Sequence, residues 1–303
     1  MLLRDCPALA DPARTLLGRE QEQWLADGWS PDHPWNLLAQ QTLMARYTSR
    51  PEGRYWTDGW DGYAAARQRL PATVVERLVP GLVVLGGGED KEVCAIKQLY
   101  AELAHDCGLE MPAGERFGLS PKLAAFGGAR FDRERGLRVP VLSLTGVLQV
   151  DFRLPGSADY TALPRATRLL TRDEREVAKA YARAVFNVLF HNRDDHPKNV
   201  AWRLGCDRRW RLAPAFDLSF SDGPRGQHHM DLCGEAGAVE RHHLLALAAE
   251  RGVPAKAAQA AIDRMLAQAA AFAPRAAAAP IRRATVRRMT TVADACRARL
   301  ARP

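Results

Sequence analysis

The chain has 303 residues, 47% of them hydrophobic and 26% charged, with a formal net charge of +8. That balance excludes wholesale disorder, and the length allows one large domain or two lobes around a sizeable core. No apolar run approaches the ~20 residues of a membrane-crossing helix, and the start, MLLRDCPALADPARTLL, does not read as a secretory signal. Six cysteines are scattered with no CxxC pair, as in the reduced thiols of a cytosolic protein. The positive charge suits a polyanion, but the arginines are spread evenly, which favours a solvated surface over a dedicated nucleic-acid face.

The first 90 residues crowd Trp24, Trp29, Trp35, Trp56 and Trp60 among turn-rich stretches such as WSPDHPWN. Aromatic packing of a small irregular lobe is the expectation, with an aromatic cage for a ligand as the alternative. EVCAIKQLYAELAHDC (92–107) has apolar residues at helical spacing, with Gly108 as a stop and Pro112 beyond it. The same stretch contains VCAIK, an echo of a kinase V-A-I-K strand behind glycines 86–88, but the helical period includes Ile96 and Lys97. The expectation is a helix. LAAFGGARFDRERGLRVPVLSL (123–144) reads as a β-hairpin about a charged RERG turn.

The clearest helix spans 171–190, with a capping-box pattern at Thr171 and Glu174 and an apolar face at Val177, Tyr181, Ala184, Val185, Val188 and Leu189. VAWRL (200–204) and WRLAPAFDLSF (210–220) read as two strands joined by a tight GCDR turn. HHMDLCGEAG (228–237) reads as a polar loop. Beyond about 240 the chain is alanine-rich and helical, broken at Pro254, Pro274 and Pro280. Its basic stretch IRRATVRR (281–288) reads as a solvated helix face, with docking to DNA or an acidic partner as the alternative. The order gives an α+β class: a mixed N-terminal lobe over 1–145 and a mainly helical C-terminal lobe over 146–303.

Chemistry concentrates in HNRDDHPKN (191–199), where Asp194 stands five residues before Asn199, and a later acid, Asp217, sits in AFDL. Asp and Asn supply the hard oxygen ligands Mg²⁺ prefers. D-x-x-x-x-N followed by a later Asp is the spacing of a kinase catalytic loop and its metal-holding acid. Phosphoryl transfer needs such groups because charge on the γ-phosphoryl is neutralised while the nucleophile is held in line. Each residue alone is explained as a turn former or a surface acid. Only the ordered combination points to catalysis.

FNVLFHNRDDHPKNVAWRL and WRLAPAFDLSFS resemble the core of the HipA family, serine/threonine kinases that serve as toxins of bacterial toxin–antitoxin modules. ELAHDCGLEMP, ARFDRERGLRVPVLSL and LPGSADY are similar to its upstream segments, so the resemblance runs from about 92 to about 270. It implies a two-lobed, protein-kinase-like fold that uses ATP and Mg²⁺. It implies Asp194 as catalytic base, Asn199 and Asp217 as Mg²⁺ ligands, and His196, Lys198 and Phe216 lining the nucleotide. Arg130, Asp132 and Arg133 would organise the lobe interface. Its implied partners are a protein substrate, such as an aminoacyl-tRNA synthetase, and a HipB-like antitoxin, through which alone DNA would be met; the setting would be cytoplasmic, with no membrane. The family's glycine-rich segment and nucleotide-contacting lysine are not evident before 92, and Lys97 stands where an acidic helix residue is usual. A non-catalytic pseudokinase is therefore one alternative. A small-molecule phosphotransferase is another, although its usual His two residues before the Asp is Asn192 here.

Overall fold

A computed structural model describes residues 11–32, 36–40, 63–77, 82–86, 89–118, 123–134 and 137–302. The chain divides into two compact units, 1–90 with 117–125, and 91–116 with 126–303. The sequence-based lobes met instead at 145/146.

The first unit contains α1 (Arg19–Gly28), β1 (Asn36–Gln40), α2 (Ala64–Glu76), β2 (Leu82–Gly86) and β3 (Glu89–Asp90). β1 and β2 pair in parallel from Asn36 opposite Leu82 to Gln40 opposite Gly86. Trp29, Leu38, Ala66, Leu70 and Val74 form its small core, and the Trp29 indole donates to Thr73 Oγ1 at 3.0 Å. Trp29 thus packs as expected of the aromatics, whereas Trp24 is exposed. Trp35, Trp56, Trp60 and glycines 87 and 88 lie outside the described residues.

The second unit opens with α3 (Lys91–Asp106), so VCAIK is helical. Gly108, at φ 77°, ends the run while Leu109 N–H donates back to Ala104 O, the left-handed closure that glycine permits without a Cβ clash. Next in the chain come β4 (Gly114–Gly118) and β5 (Leu123–Gly128), of which residues 117–118 and 123–125 belong to the first unit, and then β6 (Arg133–Glu134), β7 (Leu137–Arg138) and β8 (Val141–Ser143) of the second. The hairpin expected over 123–144 is only partly present. β6 and β7 pair, Arg133 opposite Arg138 and Glu134 opposite Leu137, but the apolar flanks part company: β5 lies between β3 and β4, and β8 joins another sheet. A turn signal fixes its local pairing, not the partners of the strands beyond it.

α4 (Leu144–Leu148), α5 (Ala162–Thr171) and α6 (Glu174–Leu189) follow. The capping box expected at Thr171 is also corrected. Thr171 closes α5, its hydroxyl bonded to Thr167 O, and Asp173 caps α6 through the Arg175 N–H at 2.9 Å. An aspartate in extended conformation directly before the helix reaches that orphan donor better than a threonine still inside another helix. β9 (Ala201–Leu204) and β10 (Trp210–Leu212) form the expected antiparallel pair, and β8 completes the sheet in the order β10-β9-β8. α7 (Arg241–Glu250), α8 (Ala255–Ala269), α9 (Phe272–Ala278) and α10 (Arg283–Ala301) close the unit. Pro254 precedes α8 and Pro280 precedes α10, but Pro274 sits in the first turn of α9, where a missing N–H costs nothing.

α6 is the spine. Val177, Tyr181, Val185, Phe186, Val188 and Leu189 are buried, and the helix packs on α5 and α8. Each such side chain contributes about 1.5–3 kcal/mol of burial. Sealing both ends of α6 in this core fixes where the following polar loop emerges.

Candidate active site

The loop leaves α6 through His191, whose φ of 53° turns the chain sharply after the last helical residue. Asn192 is buried; its Nδ2 donates to Asn187 Oδ1 at 2.9 Å, and Asn187 Nδ2 donates to the Tyr160 hydroxyl at 3.0 Å. Tyr160 in turn donates to Asp195 Oδ2 at 2.6 Å. His228 Nδ1–H donates to the same oxygen at 2.6 Å, and the His229 backbone N–H donates to Asp195 Oδ1 at 2.8 Å. Asp195 is 2% exposed. Burial alone would raise its carboxyl, but the His228 imidazole and these hydrogen bonds outweigh it and hold the group below the usual carboxylate range. The Tyr160 hydroxyl is pushed up, first by burial and then by the Asp195 charge, so it remains a donor.

Asp194, next along, faces the other way. Its side chain is about half exposed, 3.6 Å from His196 Nε2. Asn199 closes the loop, its Nδ2 donating to Asp194 O at 2.9 Å and its N–H to His196 O at 2.9 Å. That leaves Asn199 Oδ1, the atom a cation needs, without a protein partner among the described residues. Asp194 and Asn199 are thus brought together in one closed turn.

Asp217 arrives on the segment after β10. That segment runs parallel to the loop, with Ser221 N–H donating to His191 O and Arg193 N–H to Ser221 O. Ser219 N–H reaches Asn192 Oδ1 at 3.4 Å. Asp217 itself adopts φ 55°, a left-handed conformation that costs a non-glycine residue energy and that aspartate tolerates better than most. Its carboxylate is half exposed, with Lys97 Nζ at 3.4 Å. Phe216 packs against Phe131, ring centroids 5.4 Å apart and the rings tilted by 35°, and both line a cavity of about 400 Å³ with Met111, Phe126, Val141 and Asp217. Arg130 and Asp132 border the same cavity, with Asp132 clasped by both Arg130 and Arg133.

His196 and Lys198 do not line this cavity. Both sit on Phe152, with ring centroids 5.1 Å apart for His196 and the Lys198 ammonium 4.8 Å above the ring. His229 approaches His196 edge-on at 5.4 Å, and the His196 Nδ1 is buried without a partner among the described residues. Among the described residues no three His, Cys, Asp or Glu side chains converge as a metal cage. A cation at Asp217 would therefore depend on an amide oxygen and on oxygens that a ligand brings.

Sequence reasoning missed the support. Asp195 was visible only as the second of a doublet, and His228 only as one of two histidines on a polar loop. Tyr160 lay in the LPGSADY segment, which was noted for its resemblance alone. Arg193 was overlooked: its guanidinium holds Gly226 O and Gly237 O, tethering the 222–237 loop beside the Asp194 turn. Gly223 is required there, because a Cβ at its φ of 67° would meet Gln227 O at 2.0 Å.

The comparisons fit this geometry. The family of the HipA-like C-terminal domain matches residues 91–273, well over half of the chain and all of the loop network just described. The chain belongs to that family. HipA of Shewanella oneidensis MR-1, solved with HipB and its operator DNA, superposes with a TM-score of 0.57 at 17% identity, over 69% of this chain and 55% of that one. The proinflammatory kinase CtkA of Helicobacter pylori gives a TM-score of 0.47 at 11% identity, over 69% of this chain and 84% of that one. The family match and the HipA superposition show the fold to be α+β and kinase-like, mixed towards the N-terminus and mainly helical beyond. The first third has another likeness. Residues 3–111 match the family of PhoD-like phosphatases. Alkaline phosphatase D of Bacillus subtilis is 43% identical over 81 residues, which are 25% of this chain and only 14% of that enzyme. The HipA-like match begins at 91, where the second compact unit begins.

Proposed function

We propose that this HipA-like chain is an ATP- and Mg²⁺-dependent protein serine/threonine kinase. The observation that carries the reading is the closure of Asp194 and Asn199 into one turn, stitched to the Asp217 segment beside an aromatic cavity. In this reading Asp194, polar and half exposed, accepts the proton of the substrate hydroxyl. Asn199 Oδ1 and the Asp217 carboxylate would hold Mg²⁺, whose chemistry when bound would be to neutralise charge on the transferring phosphoryl group. Phe216 and Phe131 offer the flat apolar surfaces that a purine ring stacks on. His196 and Lys198 steady the turn against Phe152, and the Lys198 ammonium lends it positive charge.

A growth-inhibiting toxin paired with a HipB-like antitoxin is the biological role we attach to this chemistry, supported by the family and by the partner present in the HipA structure. A protein substrate, such as an aminoacyl-tRNA synthetase, and a cytoplasmic setting belong to the same proposal. No helix among the described residues is long and apolar enough to cross a membrane.

Purified protein incubated with labelled ATP and Mg²⁺ tests the reading. Phosphoryl transfer is expected in the wild type and should fall by about 10²–10⁴-fold in Asp194→Asn with the fold intact. Growth arrest on expression, relieved by Asp217→Ala, would separate a toxin from a housekeeping phosphotransferase. Two observations favour a second reading, a catalytically inert binding protein. Lys97 Nζ already sits 3.4 Å from Asp217, and the segment before 91 resembles a phosphatase rather than a nucleotide-binding lobe. Wild-type protein that neither binds nucleotide nor transfers phosphate would decide for it.

A further inference from the structure

α10 begins at Arg283, beyond residue 273 where the HipA-like match ends. Met289, Ala293, Cys296 and Leu300 recur at helical spacing and are buried, so one apolar stripe seats the helix on α6, α7, α8 and α9. Its start is tied to α3. The Arg282 backbone N–H donates to Glu92 Oε1 at 2.9 Å, and its Nε–H to Oε2 at 2.7 Å.

Two side chains of this anchored helix reach the chain segments that form the candidate active site. Cys296 Sγ lies 3.8 Å from Nδ1 of His191, at the foot of the Asp194 loop. Arg288 reaches the segment that carries Asp217: its guanidinium donates to Asp222 and lies 5.4 Å from the Phe220 ring centroid. Both of those residues also meet His191. Asp222 Oδ1 is 3.6 Å from His191 Nε2, and the Phe220 ring stacks on the imidazole at 5.3 Å. Arg288, Asp222, Phe220 and His191 thus join α10, the loop and the segment in one cluster.

The cluster matters because the stitching between loop and segment is loose. Ser221 N–H reaches His191 O at 3.2 Å, Arg193 N–H reaches Ser221 O at 3.3 Å, and Ser219 N–H reaches Asn192 Oδ1 at 3.4 Å. All three are longer than the usual N–H···O distance of about 2.9–3.0 Å. Asp217 adds the strain of its left-handed backbone. The Arg288–Asp222 pair is about half exposed and would count for little alone. Its weight lies in fixing a carboxylate and an aromatic ring at the point where both press on His191.

We infer that α10 braces the Asp194 loop and the Asp217 segment against each other, with Arg288 as the positioning residue. The brace rests on the kinase reading only for its consequence, which is that Asp217 keeps the place a Mg²⁺ ligand needs.

Hydrogen exchange followed by mass spectrometry on the full chain tests the brace. The amides of Arg193, Ser219 and Ser221 should exchange about fivefold faster in Arg288→Ala. Those of α10 should stay protected, since its buried stripe is untouched. Arg288→Lys keeps a cation for Asp222 and Phe220 and should restore the slow exchange. In the same proteins, the Mg²⁺ concentration giving half-maximal nucleotide binding should rise about fivefold in Arg288→Ala and return in Arg288→Lys. Wild type that binds no nucleotide removes the kinase reading, and the exchange rates then judge the brace by themselves. Unchanged exchange in Arg288→Ala overturns the inference, as does an unmoved Mg²⁺ requirement in a protein that does bind nucleotide.

Discussion

Asp194 and Asp195 are neighbours in the chain and opposites in the fold. Asp195 is enclosed, its two oxygens engaged by Tyr160, His228 and the His229 backbone. Asp194 is half exposed, with a single imidazole 3.6 Å away. The enclosed group gives the loop its shape; the open one is the base we propose. On that proposal stability and chemistry fall to adjacent residues, which makes the two separable by mutation.

Asp195→Ala is the strongest way to break this contrast. It leaves three buried donors unmatched and should cost about 3–5 kcal/mol, seen as a lower denaturation midpoint, whereas Asp194→Ala should stay within about 0.5 kcal/mol. Equal stability of the two variants would dismiss the division of labour.

A smaller effect should appear on acidification. His191 stacks on Phe220 at 5.3 Å, and burial, followed by the Arg193 charge, lowers its pKa from 6.5 to about 4. An unfolded chain takes up this proton below about pH 6.5 and the folded chain only near 4. Stability attached to His191 is therefore complete above 6.5 and lost as the pH falls through that window, by at most about 3 kcal/mol. His191→Asn, which tolerates the left-handed backbone and does not titrate, should flatten the slope of unfolding free energy between pH 6.5 and 4. An unchanged slope would assign acid sensitivity elsewhere.

The smallest effect sharpens the exposed side of the contrast. The Lys97–Asp217 pair is partly solvated, and such pairs are worth about 0.2–1 kcal/mol. If Lys97 competes for the cation position, Lys97→Ala should tighten Mg²⁺-dependent nucleotide binding by up to about fivefold. Weaker nucleotide binding would instead make Lys97 a phosphate-contacting lysine supplied from α3.

Helical periods over 92–107 and 171–190, the β9/β10 pair and the order Asp194…Asn199…Asp217 could be read from the chain itself. Each is a local pattern: an apolar stripe or a turn residue acts on its near neighbours whatever the rest of the molecule does. Those patterns, with the resemblance they carried, also led to the kinase-like class. What they could not reveal were the partners of β5 and β8, the Asp173 cap, and the role of Asp195, because these depend on groups far along the chain. Tyr160 and His228 lie 35 and 33 residues from Asp195. Arg183 is one more polar position on an amphipathic helix in the sequence, and in the fold it is 4% exposed and bonded to Ala213 O. Burial is a property of the assembled core, and only burial turns an ordinary charge into one that must find a partner.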